Sequence, residues 1–282
     1  MHVLIFSCVG WATHAPLDAC TSYGTQLLWP FSSTRVAWNL VGVIDPLPTL
    51  AWLLAVLVAL ISLRPGVERW AKVSLVLSLV YLVLTGVQRE RAETLQAELI
   101  NRRHGHARVN QTPTTPKLRA SVKPTLLQTI LWKSVYEFNG RIYTDALWMG
   151  AKPKVYAGQC IEKYQISAPA DSVLESDLRR FAWFSDDWLG IVAHGGETSE
   201  RVSVGDVRYS MLPHQIEPLW GIEFDIRQPD RHVQTWASRR RDEATLNEYF
   251  KMIRGETMLA DATIARSVAE FSETSIHSVC LQ

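Results

Sequence analysis

The chain is poor in the features that mark the commonest functions. It has no Walker loop, no dinucleotide-binding Gly fingerprint, no Gly-x-Ser-x-Gly elbow and no His-Glu-x-x-His. Nucleotide-binding, serine-elbow and zincin chemistries therefore have no local signature. Its four cysteines, Cys8, Cys20, Cys160 and Cys280, are scattered with no CxxC spacing. That pattern indicates neither a disulfide framework nor a zinc ribbon. No excess of one charge sign exists: the formal net charge is +1 over 282 residues. A strong nucleic-acid footprint is not expected from that balance. The N-terminus has no basic stretch ahead of its apolar run, so Met1–Ala12 does not read as a signal peptide. No internal repeat stands out.

What the chain does have is unevenly placed. The first third is apolar and almost free of charge; the rest reads as a water-facing domain. Eleven tryptophans suit a protein with boundaries between apolar and wet surroundings. Met1–Ala12 is apolar but about half the length needed to cross a bilayer, so it reads as the tail of a membrane helix or a short interfacial piece. Trp29, Phe31 and Trp38 suit the headgroup level. Leu47–Leu63 has no charged residue and is apolar all round, a transmembrane helix over about 46–63. Arg64-Pro65-Gly66 ends it. Val73–Val87 is a second span, about 72–88, making an antiparallel hairpin with the first.

From Arg89 charged faces appear, and Leu95 and Leu99 recur at helical spacing beside Ile100. The second span therefore continues as a helix to about residue 104, with His104-Gly-His106 at an exposed helix end rather than at a metal. Residues 111–124 are rich in Thr, Pro and Lys and read as a linker. The remainder, 125–282, reads as β-rich with C-terminal helices. Asn139-Gly140 between two alternating runs, 131–138 and 141–148, predicts a type I′ hairpin. Further strands are expected at 181–183, 188–194, 202–204, 207–211 and 221–226, and helices at 171–180 and 243–253. A last helix is expected from Gly255 to about Glu270. Asp186-Asp187 reads as a solvated turn, Asp206 and Arg208 as a cross-strand charge pair, and Arg239–Arg241 as a solvated helix start. The fold class is thus an α+β membrane protein: transmembrane helices within 1–110, including a partial helix over 1–18, then a β-rich domain.

The candidate site is near the start. His14 and Asp18 are four residues apart and can share one helix face. Imidazole and carboxylate are both ligands for zinc or a similar divalent ion. The plainer alternative is local: His14 pairs nearby, while Asp18 with Thr21 and Ser22 closes a helix end. Asp45-Pro46 stands at the mouth of the first span, as an N-cap or as a further member of the His14/Asp18 site.

The block Thr13-His14-x-Pro16-Leu17-Asp18-x-x-Thr21-Ser22-Tyr23-Gly24-Thr25-Gln26-Leu27-Leu28-Trp29-Pro30-Phe31, followed by Asp45-Pro46, resembles a bacterial family of membrane-bound, metal-dependent hydrolases. Some of its members are described as binding the SOS repressor. Phe181–Ser185, Asp206–Tyr209 and Pro218–Asp225 also resemble that family. The resemblance implies an inner-membrane, multi-pass location and hydrolysis of an ester or phosphoester on a small-molecule or lipid substrate. It implies His14 and Asp18 as ligands of a divalent metal, zinc in the first instance, with Tyr23 and Asp45 steadying them. Family members also carry a Pro-Asp-x-Asp motif and a His-Arg-Gly-x-x-His segment, and this chain begins after both. A shortened, inactive hydrolase is therefore expected. The alternative is a non-enzymatic membrane-anchored module whose β-rich domain binds a protein partner.

Overall fold

The computed structural model describes residues 2–42, 45, 49–50, 53, 57, 67–109, 118–126, 128–194, 201–238 and 243–256. The expected first span, Arg239–Arg241 and the expected helix after Gly255 lie largely or wholly outside these residues. The chain divides into two compact units, one of residues 1–94 with 122–132, the other of 95–121 with 133–282.

In the first unit, α1 (His2–Ala19) holds Pro16 within it. Pro16 leaves one backbone carbonyl of the preceding turn without its helical donor. The chain after α1 folds back on itself. Trp38 N–H donates to Ala19 O (2.7 Å), and Leu40 N–H to Cys20 O (2.8 Å). Thr25 and Val36 exchange backbone hydrogen bonds of 3.0 and 2.8 Å. Gly24 makes this fold-back possible. Its φ is +77°, and a Cβ there would stand 3.1 Å from both the Ala37 side chain and Val36 O.

Helix α2 (Val67–Val109) is unbroken and runs from the first unit into the second. Among the described residues one helix, Arg69–Gly105, is long and apolar enough to cross a membrane. Most of its apolar stretch is exposed, with Leu75, Val76, Leu77, Leu79, Val80, Val83 and Leu84 all open, while one face, at Ser78 and Thr85, is buried. Further along, the helix acquires a buried stripe of Leu95, Leu99 and Ile100, and Ile100 packs with Tyr136 and Phe138. The helix continues past His104, which is buried rather than at an exposed end. Its ring stacks on Phe138 at 4.1 Å between centroids.

Two four-stranded sheets follow, ordered β1-β2-β3-β4 and β5-β6-β7-β8. The first contains β1 (Arg119–Pro124), β2 (Leu131–Phe138), β3 (Arg141–Trp148) and β4 (Lys154–Glu162). β1 falls where composition suggested a linker; its Val122 and Lys123 are buried despite the polar stretch before them. Asn139 (φ 50°) and Gly140 (φ 73°) form the expected hairpin turn between β2 and β3. β3 pairs antiparallel with β4, with a register shift between Tyr143 and Asp145.

The second sheet contains β5 (Leu189–His194), β6 (Arg201–Asp206), β7 (Trp220–Asp225) and β8 (Gln234–Ala237), antiparallel throughout. Val135, Ile142 and Ile161 of the first sheet meet Trp188, Val207 and Ile216 in one apolar cluster.

Helix α3 (Val173–Phe184) begins at Ser172, whose hydroxyl accepts from Glu175 N–H at 3.1 Å. Phe181–Trp183, expected as a strand, is the last turn of this helix. Leu174, Leu178 and Phe181 follow helical spacing and pack on the second sheet. That burial, about 1.5–3 kcal/mol for each fully buried leucine, outweighs the strand preference of the aromatic run. Residues 207–211, also expected as a strand, are a loop. The Asp206 carboxylate accepts from Arg208 N–H (3.2 Å) and from its guanidinium (2.9 and 2.7 Å), turning the chain. The Asp206–Arg208 pair is thus local and buried, not cross-strand. Asp186-Asp187 is a turn, but both residues have partners: Arg119 for Asp186 (2.7 Å) and Lys163 for Asp187 (2.8 Å). Helix α4 covers Glu243–Ile253 as the spacing predicts.

Candidate functional site

His14 and Asp18 lie one turn apart on α1, both exposed. The helix ends just after them: Thr21 N–H and its hydroxyl donate to the Asp18 carbonyl at 3.0 and 2.8 Å. This is the helix-end role that the residues themselves suggested, served by the backbone oxygen of Asp18. Its carboxylate faces open surroundings, as does the His14 ring. Tyr23 is half-buried and its carbonyl accepts from the Arg35 guanidinium. Asp45 is buried, and its carboxylate accepts a hydrogen bond from the Tyr81 hydroxyl. Its carbonyl accepts from the Thr49 hydroxyl at 2.7 Å, as at the start of a helical turn. Among the described residues no group of three or more His, Cys, Asp or Glu could hold a metal ion.

A residue that the sequence did not single out stands in the same unit. Lys123 is buried, and its ammonium donates to Ser22 O (3.3 Å) and Asn39 Oδ1 (3.1 Å). It ties β1 to the loop that carries Tyr23 and Gly24. Asn39 reaches it from a left-handed backbone position, φ 51°. In the sequence Lys123 sits in a stretch rich in Lys, Thr and Pro, so nothing local distinguishes it from a solvated lysine.

In the second unit the densest polar arrangement surrounds Arg103. Its guanidinium makes a two-pronged contact with Asp145 (2.6 and 2.7 Å) and a longer one with the Tyr136 hydroxyl (3.3 Å). Asp145 also accepts from Gly158 N–H at 3.1 Å. His104 Nε2 lies 3.2 Å from the same Tyr136 hydroxyl. Every strong donor here has an acceptor, which describes a packing core better than a reaction centre.

No curated protein and no solved structure is matched by the chain. Residues 1–92, the stretch that includes α1, the folded-back loop and the apolar part of α2, match the family described as YdjM inner membrane protein, and this supports an inner-membrane location.

Proposed function

We propose that this protein is a membrane-anchored module of the bacterial inner membrane that holds its two-sheet unit in the aqueous phase. The anchor is α2 together with the expected first span over 46–63, which makes the protein multi-pass. One observation carries the reading: along α2, Leu75, Val76, Leu77, Leu79, Val80, Val83, Leu84 and Val87 are all exposed, and only the face of Ser78 and Thr85 is buried. In water each such exposed leucine forgoes about 1.5–3 kcal/mol of burial; in hydrocarbon that cost vanishes, while the helix satisfies its own backbone. The exposed Trp11, Trp29 and Phe31 suit the headgroup layer. Extraction of membranes with alkaline carbonate tests it. The protein is expected to stay in the pellet until detergent is added, and release by carbonate alone would overturn the anchor.

A second reading, metal-dependent hydrolysis of an ester or phosphoester, is favoured by the placement of His14 and Asp18 on one exposed turn. Both are of the donor type that zinc takes. A catalytic zinc draws on roughly three protein ligands, and the described residues supply two. The set does not fit a complete centre, and no reaction step follows from it. Titration with Zn²⁺ of the full chain and of His14→Ala decides whether even the two-ligand contact exists. The variant is expected to lose one bound equivalent, and equal uptake removes His14 from any site.

A further inference from the structure

Lys133, on β2, is buried to 4 % exposure. Its amine lies 2.6 Å from Ser210 Oγ and 2.9 Å from the Gln215 carbonyl oxygen. A buried lysine ordinarily stands against a carboxylate. Here the nearby acid, Asp206, is already engaged by both prongs of Arg208 at 2.9 and 2.7 Å. The groups touching the amine are neutral. Burial pulls the Lys133 ammonium down to about 7, against the opposing pull of Asp206.

Ser210 is half-buried on the loop between β6 and β7. That loop is pinned to the first sheet. Thr144 Oγ1 donates to His214 O (3.1 Å), and Ile216 N–H donates to Gln159 Oε1 (3.0 Å). Leu219 N–H closes the loop base on Tyr209 O at 3.1 Å. The hydroxyl is therefore held in place beside the amine. Its single proton now goes to Leu212 O at 2.7 Å, as it must while Lys133 is charged and donating. Once Lys133 is neutral, the same rotor can turn that proton to the amine.

We propose that Ser210 and Lys133 form a nucleophile–base pair that acts on an acyl compound, an ester or amide. The neutral amine takes the hydroxyl proton as Ser210 Oγ bonds to the acyl carbon. The carbon–leaving-group bond then breaks, and the Lys133 ammonium returns that proton to the departing oxygen or nitrogen. A water molecule, deprotonated by the same amine, attacks the Ser210 ester. This releases the carboxylic acid and restores the hydroxyl. No metal takes part, so the pair is independent of His14 and Asp18.

The test is labelling of the full chain in detergent micelles with a fluorophosphonate, whose phosphorus an activated serine attacks, expelling fluoride and keeping the phosphonyl group. Mass mapping is expected to place one adduct on Ser210, absent from Ser210→Ala and unaffected by EDTA. The labelling rate in the unmodified protein should rise about tenfold from pH 6 to pH 8, as a base titrating near 7 loses its proton. Lys133→Met should slow labelling at least about tenfold. That variant leaves two acceptors without their donor, so where it fails to fold the pH profile of the unmodified protein decides. No adduct at Ser210, or an adduct formed at a rate flat across that pH range, overturns the pair.

Discussion

Asp145 shows how a single side chain can be buried and charged at once. It is wholly buried, takes both prongs of Arg103 and also accepts from Gly158 N–H. The desolvation of the pair is offset because each carboxylate oxygen meets a donor. Asp145→Ala would leave Arg103 buried without its counter-charge. We expect a loss of about 3–5 kcal/mol, read by denaturant unfolding of the full chain in micelles; a loss under about 1 kcal/mol would show that Arg103 is not dependent on this partner. Neither residue was legible as a pair beforehand, because they are far apart in the sequence and each sits in an ordinary context. Lys123 and Lys133 share this property. A lysine in a polar stretch and a lysine in a strand look solvated until neighbouring elements close over them. His14 and Asp18 were legible for the opposite reason: their spacing on one helix is a local fact.

At the scale of elements, structure is legible in the sequence where its chemistry is local. The β2–β3 hairpin follows from Asn139-Gly140, since both residues adopt positive φ. Gly140→Ala should destabilise the hairpin by about 1 kcal/mol, seen as faster amide exchange in β2 and β3 with the rest of the second unit unchanged. Unchanged exchange would show that the turn tolerates a Cβ. No atom would clash with that Cβ, so the effect is conformational alone. Phe181–Trp183 failed as a strand because its aromatic composition is ambiguous over so short a run. The choice fell to Leu174 and Leu178, two turns and one turn upstream of Phe181, whose burial extends the helix to Phe184. The 207–211 run failed because the Asp206 side chain competes with strand pairing by binding Arg208 N–H and guanidinium. β1 was missed because a strand at the end of a sheet needs little hydrophobic pattern when a neighbour supplies its pairing.

At the scale of the whole molecule, α2 joins an apolar stretch and a charged stretch in one helix. Its first half is largely apolar and exposed except on the face of Ser78 and Thr85, and its last part has a single buried stripe beneath charged faces. Leu79→Asp places a carboxylate in the middle of the apolar half, at a cost of about 2.5–3.5 kcal/mol for insertion. A larger share of that variant should appear in the carbonate-soluble fraction than of the unmodified protein. Equal partitioning would argue that this half of α2 does not lie in hydrocarbon. The sequence alone determined the apolar-to-polar asymmetry, the period of α2, the β2–β3 turn and the shared turn of His14 and Asp18. All of these depend on neighbours within a few residues. Only the tertiary structure decided that the strands form two sheets, that Lys123 and Lys133 are buried, and that Ser210 stands beside an amine 77 positions away in the chain. Those outcomes depend on which distant groups exclude water from one another, and a pattern of nearest neighbours holds no record of that.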